Sequence, residues 1–330
     1  MMMSAKRNKG THFMLLAKAR TLSLRDVFSA GEGAAFETFC KMRWSETEGE
    51  PVCPRCGSIG AYKITTRRKF KCKSAACYHQ FSPTSGTIFA SRKMAYVDLL
   101  AAILIVVNGA KGVSALQLAR DIDCQHKTAF VLGHKLREAL AAEIAGQQVG
   151  GDGETVEVDG AYFGGHIRPA NLAENRIDRR LAQHQTGKRR VVVIARQRKG
   201  RTITTVTKSE ADGVAFVRAV VAANSEVHAD EANHWDALHA KYLTWRINHR
   251  EAYSKGGACT NQAESFLARL RLMVGGQHHH VSPQHLHQYA AHAAWMEDHR
   301  GEDNGQLCHR ALGLALAHPV SREWKGYWQR

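Results

Sequence analysis

Apolar positions change their spacing along the chain, and the changes separate a helical half from a half that alternates strand and helix. From Ala34 to Trp44 they return at helical intervals, so Phe36, Phe39, Cys40 and Trp44 can share one face of a short amphipathic helix. Tyr96–Val107 is strongly apolar, which predicts a buried helix ended by Asn108-Gly109. Ser114 is placed to cap a helix over Ala115–Ile122, and a second helix runs from His126 to Ala142, broken only mildly at Gly133. Two helices joined by a short turn fit either a helix-turn-helix whose second member reads DNA or plain helical packing. Polar, Gly-rich Gly146–Gly153 marks a domain boundary.

Beyond Glu154 the pattern predicts strands at Thr155–Asp159, Arg189–Gln197 and Thr202–Lys208, with a tight basic turn, Arg198-Lys199-Gly200-Arg201, between the last two. A helix over Ala211–Ala223, strands at Glu226–Asp230 and Thr244–Asn248, and a helix over Asn261–Met273 follow. Three consecutive strands and then alternating helix and strand make a mixed α/β arrangement. Residues Ala161–Lys188 are polar and basic and read as a long loop or insertion. No internal repeat is visible.

Composition sharpens this picture mainly through charge. The 330 residues carry 46 Lys+Arg against 30 Asp+Glu, a net charge of +16, which points to a polyanionic partner, nucleic acid before an anionic membrane. A hydrophobic share of 44% with 23% charged residues describes a globular chain and excludes disorder as its general state. The longest apolar run, Leu99–Val107, is too short to span a bilayer, and Phe13–Ala17 is too short for the core of a signal peptide. A cytoplasmic location is expected, with a basic arm formed by the first dozen residues, including Lys6, Arg7 and Lys9.

Four of the eight cysteines fall between Cys53 and Cys77, a pattern of one local metal site rather than a disulfide framework. Cys53-Pro54-Arg55-Cys56-Gly57 has the spacing of a zinc knuckle, and Cys72 with Cys77 completes a four-thiolate set for structural Zn²⁺. The second pair is wider than the first, which leaves His79 as an alternative to Cys77 for the fourth ligand. The hairpin-like stretch between the pairs carries Arg67, Arg68, Lys69 and Lys71, either as DNA-phosphate contacts or as a solvated basic face.

Three carboxylates sit where phosphoryl transfer would use them. Asp159 and Asp230 each end a predicted strand, and Glu264 lies in the first turn of a helix. Such a triad can hold two hard divalent cations, Mg²⁺ or Mn²⁺, and it implies them, because without metal the carboxylates would repel one another. Asn261 shares a helix face with Glu264 and is an alternative third ligand, while Glu231 is a weaker rival of Asp230.

Taken in order, these segments resemble a family, the bacterial insertion-sequence transposases of the ISXO type. The resemblance runs from about Phe36 to His299 through Cys53–Ser58, Gln80-Phe81-Ser82, Ser85–Phe89, Val156–Gly165, His228-Ala229-Asp230, Thr260–Phe266, His279-His280-Val281-Ser282 and His285-Leu286. It implies a zinc ribbon joined to a DDE domain of the RNase H-like fold, with Asp159, Asp230 and Glu264 as catalytic residues and magnesium ligands. It also implies DNA as partner, both transposon terminal repeats and target DNA, and a homo-oligomer that brings two ends together. The chain departs from the pattern in its wider second knuckle, in Gly160 where an acidic residue often follows the first Asp, and in Trp295–Arg300 after the histidine motif.

The implied organisation is an N-terminal arm and helix over 1–48, the ribbon over 49–90, a helical DNA-binding region over 91–150, the DDE domain over 151–300 and a C-terminal tail over 301–330. Arg179, Arg180, Arg189 and Arg190 are expected to face DNA, and Lys255 and Arg271, with Arg269, to hold phosphates near the metals. His278-His279-His280 reads as a loop approaching phosphate or a carboxylate rather than as a metal site. The expected function is end binding, phosphodiester hydrolysis and 3′-hydroxyl strand transfer. Its rivals are a non-catalytic DNA-binding relative and an RNase H-like nuclease.

Overall fold

A computed structural model describes residues 13–165, 170–177, 184, 187–248, 254 and 257–329. In chain order the main elements are α1 (Leu24–Arg43), β1 (Ala61–Ile64), β2 (Lys69–Cys72), β3 (Gln80–Phe81), α2 (Tyr96–Asn108), α3 (Ala115–Asp121) and α4 (His126–Ile144). They continue with β4 (Thr155–Phe163), β5 (Arg190–Gln197), β6 (Thr202–Thr207), α5 (Gly213–Val220), β7 (Glu226–Asp230), β8 (Leu243–Ile247), α6 (Asn261–Leu272), α7 (Leu286–Asp298) and α8 (Asn304–Ala317). The chain forms two compact units, one from residues 1–108, 120–124 and 299–330, the other from 109–119 and 125–298.

The first unit is built around aromatic rings. α1 opens with a capping box between Ser23 and Asp26 and breaks at Gly31, whose φ of 74° leaves the helical region. Its second half buries Phe36, Phe39 and Cys40, the face that the spacing predicts, and Trp44 is buried just beyond. Phe36 stacks on Phe70 of β2 at 5.8 Å and meets Tyr96 of α2 edge-on at 5.2 Å, while Trp44 meets both Phe70 and Phe81. One aromatic cluster therefore joins α1, the small three-stranded sheet β1-β2-β3 and α2. α2 is buried from Leu99 to Val107 because α1 and α8 both pack on it.

Residues 301–330, expected as a tail, contain α8. Asp303 caps it, and Leu307, Cys308, Ala311, Leu312, Ala315 and Leu316 form its buried stripe. Asn304 clamps the start of this helix to the chain ahead of α1, accepting from the Thr21 amide at 2.9 Å and donating to the Leu22 carbonyl at 2.7 Å. The C-terminal segment is thus part of the first unit's core.

The second unit holds a five-stranded mixed sheet in the order β6-β5-β4-β7-β8. β4, β5 and β6 are antiparallel neighbours, whereas β7 runs parallel to β4 and β8 parallel to β7. This is the mixed sheet that the RNase H-like expectation calls for. α5 packs on β5 and β6, with Gly213 close against Val193 on one face, and α6 packs on β4 and β5 from the other face. α7 covers β6 and α4, and Arg196 of β5 pairs with Glu297 of α7 at 3.0 Å.

α4 packs along α7, and none of its residues from Ala129 to Ala141 is exposed. Most of α4 is therefore core, and its exposed residues lie in its first turn, His126–Thr128, and beyond Ala141. In the stretch after β4, Ala173–Asn175 form a short turn.

Candidate active site and zinc centre

The zinc centre follows from two turns of the same kind. Gly57 takes a φ of 74° and its amide donates to the Cys53 carbonyl at 2.9 Å, turning the first knuckle back on itself. In the second, Tyr78 takes a φ of 46° and its amide donates to the Ser74 carbonyl at 3.1 Å. Ser74-Ala75-Ala76-Cys77-Tyr78 thus repeats the path of Cys53–Gly57, and Cys72 enters two residues earlier, from the end of β2. The wider spacing is absorbed there.

All four sulfurs lie within 4.8 Å of one another, with Cys53 to Cys77 at 3.8 Å and Cys56 to Cys72 at 3.6 Å. A tetrahedral ZnS₄ site with bonds of about 2.3 Å has sulfur–sulfur edges of about 3.8 Å, so the donor set fits zinc. Cys77 stands in the fourth position, and the His79 ring instead lies parallel to Phe81 at 6.3 Å. Arg67, Arg68 and Lys69 are exposed on the hairpin between the pairs, whereas Lys71 is half-buried with its ammonium over the Tyr78 ring.

In the second unit, strand register brings two carboxylates side by side. Glu157 pairs with His228 and Val158 with Ala229, so Asp159 on β4 and Asp230 on β7 occupy the next step. Asp159 does not end its strand as expected. β4 continues to Phe163 because β5 goes on pairing with it through Arg190, and Asp159 marks only where β7 stops. Beyond Asp230 the chain is turned by Arg246 of β8, which donates to the Asp230 and Ala232 carbonyls and pairs with Asp236. Asp230 is half-buried and Glu231 is exposed.

α6 brings Glu264 to the same face. The Glu264 amide donates to the Thr260 carbonyl, and the Thr260 hydroxyl lies 3.3 Å from the Glu264 carboxylate. Burial pushes the Asp159 carboxyl up to about 7; its bond from the Gly160 amide, 2.7 Å, opposes the rise, and the charges of Asp230, Glu264 and Glu210 add to it. Among the described residues no Lys or Arg pairs with Asp159 or Asp230. The three carboxylates are hard oxygen donors of the kind divalent cations take, while among the described residues only the four cysteines bring a set of three or more donor atoms within 4.8 Å of one another. Asn261 is exposed at the start of α6, and Glu264 is half-buried.

Glu210 and His234 also belong to this neighbourhood, and neither carried a sequence signal. Glu210 precedes α5 and resembles an ordinary helix-start acid, yet its carboxylate lies 3.7 Å from the His234 ring. Burial and Asp230 both raise the Glu210 carboxyl; burial lowers His234. Glu157 was legible by parity, since residues two apart on a strand share a face.

Residues 150–298 match the family model described as an ISXO2-like transposase domain, and residues 31–80 match the transposase zinc-ribbon domain, both of the IS1595 type. The chain belongs to the IS1595 transposase family. No curated protein and no solved structure gave a significant match. Both domain matches of this IS1595-family chain contain the clusters described above: the ribbon match holds all four cysteines, and the DDE match holds Asp159, Asp230 and Glu264.

The basic positions divide differently. Arg189 stacks over the Tyr162 ring at 4.5 Å and Arg190 donates to the Gly187 carbonyl, leaving both half-exposed. Arg271 is exposed on α6, while Arg269 is engaged by Glu297 at 2.8 Å. Arg179, Arg180 and Lys255 lie outside the described residues. His278 packs edge-on against Tyr289 at 4.7 Å, and His279 and His280 are exposed, so the three rings do not converge. No helix among the described residues is long and apolar enough to cross a membrane.

Proposed function

We propose that this chain is a DNA transposase that binds the ends of its element, hydrolyses a phosphodiester and joins the freed 3′-hydroxyl to target DNA. The observation that carries this reading is the adjacency of Asp159 and Asp230 on two parallel strands, with Glu264 delivered to the same face by α6. Asp159, Asp230 and Glu264 would hold two Mg²⁺ or Mn²⁺ ions, which when bound activate the attacking oxygen and stabilise the leaving one. Asp159 would gain from a bound cation, because burial and the neighbouring carboxylates disfavour its charged form without one. The ribbon would perform no chemistry; its zinc folds a small platform whose exposed Arg67, Arg68 and Lys69 meet phosphates. Arg189, Arg190 and Arg271 would add phosphate contacts around the carboxylates, and two copies would hold two ends.

The test is a Mg²⁺-dependent cleavage and joining assay on DNA carrying the terminal repeats that flank this gene. Wild type runs beside Asp159→Asn, Glu264→Gln and Asn261→Ala. Joined products lost with the first two and kept with the third are expected. Loss with Asn261→Ala but not with Glu264→Gln would move the third ligand to Asn261. DNA shifted but uncut in every lane would make the chain a binding protein, and cleavage without joining would make it a nuclease.

A further inference from the structure

Glu157 lies two residues before Asp159 on β4 and so on the same face of the strand, yet it is wholly buried. A charge in that position has to be compensated, and both of its oxygens are. One accepts from the amides of Gln262 and Ala263, at 2.8 and 3.0 Å, in the first turn of α6. The other accepts from Nε of Arg198 at 2.8 Å. The first turn of a helix presents amides without intrahelical partners and the positive end of the helix dipole, so a carboxylate there is held by direction as well as by charge.

The stretch just ahead of α6 is tied to the same place by a second set of bonds. Arg198 also donates to the Cys259 carbonyl at 3.1 Å, and the Cys259 amide donates to Nδ1 of His228 at 3.1 Å. Since Nδ1 accepts, Nε2 carries the proton, and it faces Glu226 at 2.8 Å. His228 is the cross-strand partner of Glu157 and lies two residues before Asp230. Each strand aspartate therefore has, one side-chain step behind it on the same face, a residue that grips residues 259–263.

We infer that Glu157 is a positioning residue: through the first-turn amides of α6 it sets where Glu264 stands relative to Asp159 and Asp230. This rests on the reading of those three as the catalytic set. Glu157 itself is no metal ligand here, because its two oxygens are already taken by Arg198 and the helix. A few residues of β4 thus carry both a member of the site and the anchor of the helix that supplies another. Glutamine in its place would offer one oxygen to the amides and turn an N–H group toward Arg198; aspartate would keep the charge but fall short by one methylene.

The test compares full-length wild type with Glu157→Gln, Glu157→Asp and Arg198→Gln, using amide exchange across residues 260–265, the Mg²⁺ concentration at half-maximal cleavage, and affinity for terminal-repeat DNA. For Glu157→Gln we expect exchange at least tenfold faster in that segment, a Mg²⁺ requirement raised about fivefold or more, and unchanged DNA affinity; Glu157→Asp should fall between. Faster exchange with a wild-type Mg²⁺ requirement would overturn the inference by reducing Glu157 to a structural role. A raised requirement with unchanged exchange would overturn it by making Glu157 a ligand. Should Glu157→Gln fail to fold, the half-exposed Arg198→Gln reads out the same two quantities. If wild type does not cleave, the transposase reading fails by itself, and Mn²⁺ affinity by paramagnetic resonance takes the place of the Mg²⁺ requirement.

Discussion

The side chain of Glu210 occupies the space that a Cβ on Gly160 would need: such an atom would stand 2.7 Å from Cγ and 2.9 Å from Oε1. Gly160 follows Asp159, and a carboxylate from the approach to α5 stands where its side chain would be. Glu210 is one of the charges that hold the Asp159 carboxyl high.

Gly160→Ala should displace Glu210 at small cost, under about 1 kcal/mol, because the obstacle is a flexible side chain. With that like charge moved away, the Asp159 pKa should fall, and Glu210→Gln should lower it without the steric push. Carboxyl-carbon NMR titration of both variants measures this. An Asp159 titration identical to wild type in both would show that Glu210 does not act on it.

Asp159 also predicts a pH dependence of stability. Its carboxyl stands at about 7 in the folded chain against an ordinary 3.8, so between those values the unfolded chain has given up a proton that the folded one keeps. Stability from this group is therefore greatest below about pH 4 and declines as pH rises to about 7. Without added divalent cation, Asp159→Asn should be the more stable protein at pH 8 by about 2 kcal/mol, or roughly 4–8 °C in Tm. Mg²⁺ should narrow the gap by stabilising wild type alone. Equal melting curves at pH 8 would contradict the burial argument.

Zinc content should separate the two possible fourth ligands. Purified wild type is expected to carry one zinc per chain, Cys77→Ser to lose it, and His79→Ala to keep it, since the His79 ring is stacked on Phe81 and the Cys77 sulfur faces Cys53. Elemental analysis reads this directly. Chelation should also loosen Phe70 and Phe81, which join the ribbon to the aromatic cluster of the first unit, and a loss of near-ultraviolet circular dichroism would report it.

DNA affinity should fall steeply with salt. Replacing the exposed Arg67, Arg68 and Lys69 together by alanine is expected to reduce the slope of log K against log salt by about 2.7, at about 0.9 per phosphate contact. An unchanged slope would leave the hairpin as a solvated basic face.

Much of this protein could be read in local pattern. The cysteine spacing, the alternation of Val156–Asp159 and the run Tyr96–Val107 each report a neighbourhood of a few residues, and zinc geometry, strand pleat and helix period act at that range. Ala129 to Ala141 illustrates the limit: its residue types allow either an exposed or a core helix, and its burial comes from α7 lying along it. The stripe from Leu307 to Leu316 has helical spacing, but that it closes the first unit's core depends on Asn304 meeting Thr21 and Leu22 across nearly the whole chain.

The site divides in the same way. Residue order alone tells which positions carry carboxylates and thiolates, and on which side of a strand or helix each stands, because those follow from chemistry and from periods of two and 3.6. Long-range packing set the rest: β7 runs beside β4 in the register that brings Asp230 to Asp159, Cys77 rather than His79 joins the sulfurs, the first-turn amides of α6 meet Glu157, and Glu210 comes up beside Gly160. Those are contacts between segments far apart in the chain, set by sheet register and by which buried charges find partners, and no local spacing encodes either.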